Sequence, residues 1–467
     1  MQLFKSQNKP DNEEPSMETT PTSRKVCLGI DWGTHSSKWS CHIDNVDEGL
    51  VGKIHHSTLV RIGDDLIFSP GENVSETHER IDSLKRIIIN DPLGQSFWDA
   101  DRLDTGTSLG EAVSFSICSL LCDAVIELRD KQNICFPTDT EMEIGFSLPN
   151  WLRDQDKKSE VALDHFRHAV YASCFIFKEH SSSELPVPGK AYSIEVWKRI
   201  VNEALKGCKN SDQIEGIDKH IQELHRIDNL KWRYLVESCA AGLPYLRSIS
   251  LEEEAPSGLP GLGKLFVVDV GAGSTDVGYM LRTLNRQGSE QLHYFPPAAT
   301  FEIAGNQLTD KVREYYEQQG TRMTWQDAEN RKLSESGWHD LEFAKNWRDQ
   351  ICRHIRVYVK GIPDYRWLPM EVPLQVVVTG GSGAVPGLKE EIKEALCAGL
   401  KERDISQRTI NNTRLINERL SYWTFEHEAE YARRAVSIGA SDPNKPELKY
   451  LAKMDKMIHI QRDIIKY

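Results

Sequence analysis

From Val26 to Ile30 the chain runs through Val, Cys, Leu and Ile with one glycine among them, the composition of a buried strand. A turn containing Gly33 follows, and Trp39, Cys41 and Ile43 then alternate with polar positions, so the two segments predict a β-hairpin. The same design returns far downstream. Leu265 to Val268 run into Asp269, a Gly, Ser and Thr turn follows, and Val277, Tyr279 and Leu281 alternate after it. Two copies of one hairpin predict two halves built alike. Between them Ile194, Trp197, Val201 and Leu205, then Ile217, Ile221 and Leu224, fall at helical spacing and give each segment one apolar face. Strands alternating with helices indicate an α/β fold.

The punctuation of the pattern sets the boundaries. Residues 1–24 are rich in Pro, Ser, Thr, Asn and Glu and poor in large apolar groups, so they predict a disordered tail. Ser250 to Gly263 (SLEEEAPSGLPGLG) concentrates acid, Pro and Gly, which places a linker at 251–263 between lobe I (25–250) and lobe II (264–430). Helices are expected over 431–467, where Leu448, Leu451, Met454, Met457 and Ile458 mark a terminal one.

Composition narrows the partners. With 57 Lys plus Arg against 70 Asp plus Glu, the net charge is −13, which disfavours nucleic acid and anionic membranes. No apolar run is read as reaching the roughly 20 residues that cross a bilayer, and no signal peptide is recognised, so a cytoplasmic protein is expected. Ten cysteines without a CxxC pair, several in apolar stretches (Cys27, Cys118, Cys122, Cys174), read as buried thiols of a reducing compartment, without disulfides or structural zinc. Cys118 with Cys122 at i, i+4 of a helix, and His165 with His168, read as core residues.

Three segments carry chemistry. In Asp31-Trp32-Gly33-Thr34-His35-Ser36-Ser37-Lys38 a strand ends in a carboxylate and meets a turn of small and hydroxylated residues. Gly33 lets backbone approach phosphate oxygens, the turn N–H groups and the Thr34 hydroxyl can donate to them, and Asp31 can hold Mg²⁺ through water. In Asp269-Val270-Gly271-Ala272-Gly273-Ser274-Thr275-Asp276 two carboxylates bracket a glycine turn and can position a metal-bound water. In Thr379-Gly380-Gly381-Ser382 a buried strand meets a turn that opens a helix, where a flat nucleoside can approach backbone.

These segments, in this order, resemble the phosphate-1, phosphate-2 and adenosine motifs of the actin, sugar kinase and heat-shock chaperone superfamily. Val236 to Leu243 (VESCAAGL) resembles the connecting segment of the heat shock protein 70 (DnaK-type) chaperones, and Ile144 to Trp151 (IGFSLPNW) the strand ending in Pro that precedes it. Ile81 to Ile87 (IDSLKRI), Ile303 to Leu308 (IAGNQL) and Ala435 to Ala440 (AVSIGA) extend the likeness over roughly residues 25 to 441. The resemblance implies a two-lobed actin-like ATPase fold of duplicated ribonuclease H-like domains, with small upper subdomains near 56–105 and 306–370 and C-terminal helices returning to lobe I. It implies ATP or ADP with Mg²⁺ in the cleft. Asp31, Asp269 and Asp276 would serve the metal, and Asp269 would orient or deprotonate the attacking water. Gly33, Thr34, His35, Gly271, Ala272, Gly273 and Ser274 would hold the phosphates. Glu237 with Pro149 would sense the nucleotide, Gly380, Gly381 and Ser382 would hold the adenosine, and Glu329 and Lys332 would contact the nucleoside from the other side.

Departures from the family qualify the activity. Around Gly71-Glu72-Asn73-Val74-Ser75 the family's upper-lobe lysine is not found, which weakens hydrolysis relative to binding. Lys38, seven residues after Asp31, is the substitute, placed to touch the β- and γ-phosphates as in actin-like members. The stretch from Pro149 to Glu237 exceeds the family's spacing and carries a helical insertion near 175–230, read either as a platform for a protein partner or as packing on lobe I. No β-sandwich substrate-binding domain is expected in the residues after Ala440. The reading is an ATP-hydrolysing conformational switch; a non-hydrolysing ATP sensor or scaffold and an actin-like filament protein stay open as alternatives.

Overall fold

The structure is a computed structural model that describes residues 24–44, 50–70, 79–90, 97–98, 103–136, 140–148, 157–205, 230–249, 262–284, 290–334, 337–362, 373–403, 405, 407–416 and 428–442. The first hairpin pairs β1 (Arg24–Asp31) with β2 (Ser36–Ile43) antiparallel, Val26 opposite Ile43 and Asp31 opposite Lys38. After it come β3 (Leu50–His56), β4 (Leu59–Ile62), β5 (Asp65–Phe68), β6 (Glu79–Ile81), α1 (Leu84–Asn90), α2 (Leu109–Gln132), β7 (Thr140–Leu148) and α3 (Lys157–Glu179). The first half closes with β8 (Tyr192–Ser193), α4 (Ile194–Leu205), β9 (Leu230–Val236) and α5 (Glu237–Ser248). Five strands form a sheet in the order β3-β2-β1-β7-β9, with β1, β7 and β9 parallel, while β6-β4-β5-β8 make a smaller sheet beside it.

The second half repeats the plan. β10 (Leu262–Val270), β11 (Thr275–Leu284) and β12 (Glu290–Phe301) form an antiparallel meander. α6 (Gly305–Gln318), α7 (Trp325–Ser334) and α8 (Glu342–Gly361) precede β13 (Leu374–Thr379), α9 (Leu388–Lys401), α10 (Gln407–Asn411), β14 (Arg414–Leu415) and α11 (Glu428–Ala440). The sheet order is β12-β11-β10-β13-β14, with β10, β13 and β14 parallel, so each half sets an antiparallel meander beside parallel strands in the same sequence. This is a mixed α/β fold, as the alternation of strands and helices requires. The strand β10 begins at Leu262, inside the expected linker; the rest of that segment, the terminal tail, Pro149, the helix expected around Ile217 to Leu224 and the terminal helix all lie outside the described residues.

Helix α2 corrects the sequence reading. It is 24 residues long and holds an 18-residue window with a mean hydropathy of 1.7, long and apolar enough by composition to cross a membrane, which the interspersed polar residues had hidden. Here 94% of its apolar window is buried inside the protein. It starts with a capping box between Ser108 and Glu111, which satisfies two otherwise orphaned N–H groups. Two indoles pin it to the sheet: Trp32 Nε1 donates to Ser116 Oγ at 2.9 Å and Trp39 Nε1 to Asp123 Oδ2 at 2.7 Å. Asp123 also accepts from His55 and Lys53, so the carboxylate in this apolar helix is fully used. Cys118 and Cys122 lie on it in the core. His165, on α3, stacks on Phe97 at 4.4 Å.

Helix α4 buries Trp197, Ile200, Val201 and Leu205, and the Trp197 indole donates to the Glu111 carbonyl at 2.8 Å. The described part of the insertion therefore belongs to the first core. A third apolar cluster joins the halves, where α5 and α11 meet Leu265, Val267, Met280 and Val377 of the second sheet. Helix α11 also lies on β1 and β7 with no side chain between: a methyl at Gly29 would strike the Ser437 carbonyl, and one at Gly145 the Ala440 carbonyl. Where α11 crosses α5, a methyl at Gly439 would strike the Ala240 carbonyl.

Candidate functional site

The ends of β1 and β10 deliver the two hairpin turns to opposite walls of one cavity. Asp31, Gly33, Thr34, His35, Ser36 and Lys38 line it from the first half, and Asp269, Gly271, Ala272, Gly273, Ser274 and Asp276 from the second. The turns touch: a methyl added to Gly273 would sit 2.6 Å from the Thr34 hydroxyl oxygen. Glycine at 273 is thus what lets the walls close this far.

The hairpins share one register and differ in charge. Asp31 pairs across the strands with Lys38, and at the equivalent place Asp269 pairs with Asp276. Lys38 Nζ donates to Asp31 Oδ2 at 2.7 Å, while Ser147 donates to the other oxygen at 3.3 Å. Asp276 is held by the Ser274 hydroxyl at 2.9 Å and the Thr300 hydroxyl at 2.6 Å. Asp269 accepts from Thr379 at 3.1 Å. Burial, and then the like charges of Asp276 and Asp31, push the Asp269 carboxyl up to about 7.

Sequence reasoning missed Lys85. Its ammonium is buried, lines the cavity and forms an ion pair with Glu237, the first residue of α5. Burial opposes its charge, but Glu237, Asp31 and Asp276 outweigh this and raise its pKa. Burial above all raises the Glu237 carboxyl as well, against the pull of Lys85. Gly71 to Ser75, where the family's upper-lobe lysine is not found, lie outside the described residues, while Lys85 adds a lysine to the first half's side of the site beside Lys38. The residue stands in the segment quoted above as IDSLKRI, where a lysine in a short helix reads as solvated; its partner is 152 positions away.

The donor set has a clear charge balance. Around the hairpin turns four carboxylates (Asp31, Asp269, Asp276, Glu237) face two ammonium groups (Lys38, Lys85), with Glu329 and Arg433 farther along the lining. Among the described residues no three His, Cys, Asp or Glu side chains converge to hold a metal alone. The three aspartates are hence no protein-only cage. They fit a hard divalent cation of the Mg²⁺ type, which keeps waters and takes phosphate oxygens to fill its shell.

The third expected segment joins the same cavity. Gly380 has φ of 84°, and any side chain there would collide with the Val270 carbonyl and the Asp269 carboxylate. Ser382 N–H donates to Val270 O at 3.0 Å, Gly305 N–H to Gly271 O at 2.9 Å and Asn306 N–H to Ala272 O at 2.9 Å, so backbone bonds lock the second turn to its neighbours. Gly380, Gly381, Ser382 and Glu329 line the wall. Lys332 does not: it is fully buried behind the wall, where Nζ donates to Glu329 at 2.6 Å, Thr309 at 3.0 Å and Ser382 Oγ at 3.0 Å. Its place is to fix Glu329 and Ser382. Arg433 and Val436 of α11, and Gln326 of α7, complete this end; their helical surroundings gave no motif to read.

No protein family matches the chain, and no curated protein matches it. Among solved structures, the chain is similar to a pCBH ParM non-polymerisable quadruple mutant at 12% identity, covering 89% of this chain and 98% of that one with a TM-score of 0.42.

Proposed function

We propose that the chain binds ATP with Mg²⁺ in this cavity, hydrolyses it to ADP and phosphate, and works as a nucleotide-driven switch of the actin-like superfamily, closest in its motifs to the heat shock protein 70 chaperones. One observation carries the reading: two like hairpins put their glycine turns and carboxylates on facing walls of a single cavity that also holds Lys38 and Lys85. Polyphosphate suits that arrangement, since turn N–H groups and two ammonium groups can meet its oxygens. Asp31, Asp269 and Asp276 would hold the cation, which supplies neutralisation of charge on the phosphate oxygens when bound.

Hydrolysis follows from the remaining groups. Water attacks the γ-phosphorus, the bond from phosphorus to the bridging oxygen of ADP breaks, and the water's proton passes to the Asp269 carboxylate. Lys85, buried and paired with Glu237, holds positive charge beside the transferring group and links it to the start of α5. Gly380, Gly381, Ser382 and Glu329 would take the nucleoside. The proposal includes a cytoplasmic setting and a protein partner that reads cleft closure, docking through the 175–230 insertion.

The test is ATP binding and single-turnover hydrolysis by the wild type beside Asp269→Asn and Lys85→Met. Hydrolysis that both substitutions abolish supports the reading. ATP binding with no turnover in the wild type turns it into the sensor alternative, and ATP-dependent sedimentation of filaments into the actin-like one. No binding of any nucleotide refutes it.

A further inference from the structure

One side chain in the cavity departs from the small and hydroxylated residues around it. His35 follows Thr34 in the first turn, and its ring lies 4.3 Å from that of Trp325, the first residue of α7, at 44°. Its other side meets the His56 ring edge-on at 5.6 Å and 71°. The contact with Trp325 bridges the two halves, because His35 belongs to the first hairpin and α7 to the second; Gln326, next along α7, lines the cavity. Backbone and hydroxyl bonds brace the turn from behind: His35 O accepts from the Ser57 N–H at 2.8 Å, and the Ser57 hydroxyl meets Gly33 O and Ser37 Oγ, each at 2.8 Å. Among the described residues neither imidazole nitrogen has a hydrogen-bond partner. The ring is thus positioned by its neighbours and chemically unused.

We propose that His35 is a polyphosphate-binding side chain that takes up a proton as the anion enters, with Trp325 of the second half steadying the charged ring. The proposal rests on the nucleotide reading above, in which His35 already stands among the phosphate residues, and adds the proton linked to that contact and the part of Trp325.

The groups facing His35 explain why the proton comes with the ligand. Burial dominates and holds the imidazole down at about 4; Glu329 on α7 pulls the other way, and His56 on β3, Lys332 on α7 and Lys38 on β2 add to the lowering. With no anion beside it the ring is therefore neutral at pH 7 and does not repel Lys38. A phosphate group beside it reverses the balance, since an adjacent anion favours the charged form. The indole face does the same, because a cation is attracted to an aromatic ring within about 6 Å of its centroid. The group gains its charge only when there is an anion to bind.

The experiment is calorimetric titration of the full chain with Mg-ADP, and separately with inorganic pyrophosphate, in two buffers of different ionisation enthalpy at pH 7. His35→Gln and His35→Asn serve as controls, with a melting curve for each. The wild type is expected to take up roughly 0.3 to 1 proton more than either variant with both ligands. Its affinity should also gain roughly three- to tenfold more than theirs between pH 8 and pH 6, within the limit of tenfold per pH unit for one linked proton. Trp325→Ala should lower the uptake. Equal proton counts and pH slopes in wild type and variants overturn the proposal while nucleotide binding stands. Uptake with ADP but not with pyrophosphate overturns the phosphate contact. Failure of the wild type to bind either ligand overturns the nucleotide reading and this inference with it.

Discussion

Replacing Asp269 by Asn tests the electrostatics of the cavity without changing its shape. The amide oxygen can still accept from Thr379, but the charge facing Asp276 is gone. In the folded wild type the carboxyl titrates near 7 rather than at its ordinary 3.8. Between those values the folded protein holds a proton that the unfolded chain has lost. Stability from this group is therefore full on the acid side and falls as pH rises toward 7. The gap of about three pH units corresponds to roughly 4 kcal/mol once both states are ionised. The nucleotide- and metal-free variant should accordingly unfold at higher urea than the wild type at pH 8, by about 2–4 kcal/mol, and the two should converge near pH 4. Urea titrations followed by circular dichroism across that range measure it. Parallel curves, or a variant weaker than the wild type at pH 8, would refute the claim that Asp269 is held against its own charge. In the same variant single-turnover hydrolysis should drop by about 10²-fold or more.

Other expectations are independent of that one. Lys85→Met leaves the Glu237 carboxylate buried without its partner and should cost about 3–5 kcal/mol, with much of the loss recovered in the double variant with Glu237→Gln; denaturant midpoints of the four proteins give the cycle. Trp197→Ala should cost about 3–5 kcal/mol, because the insertion's first helix is core; a change below 1 kcal/mol would return α4 to the surface. Lys332→Met should weaken ADP binding and leave pyrophosphate binding intact, since Lys332 fixes Glu329 and Ser382 rather than the phosphate turns; equal loss for both ligands would oppose this.

Much of this arrangement could be read before any coordinates. Strong strands such as VVDV and VCLGI, each ending at an aspartate and a glycine turn, declared both hairpins because burial on two faces demands continuous apolar residues. The face of α4 was legible from the spacing of Trp197, Val201 and Leu205. What escaped depends on distant partners. Lys85 sits in a short helix whose sequence shows no reason for burial, and the reason is Glu237 on another element. Lys332 was expected at the nucleoside through its resemblance to the family's lysine, but its ammonium turns behind the wall upon Thr309 and Ser382. The small sheet was also hidden, since its strands are two to four residues long and its edge strand, β8, comes from the insertion.

Bare glycine contacts beneath the cavity limit how it can open. At Gly29, Gly145 and Gly439 the last described helix rests backbone on backbone, with no flexible side chains to act as a bearing. Sliding along that surface would drag carbonyl oxygens through α-carbons, so the low-energy motion left to the halves is a swing about the contact. Such an axle lies near the roots of the carboxylates. The floor of the cleft would then keep its width while parts farther from the contact move more.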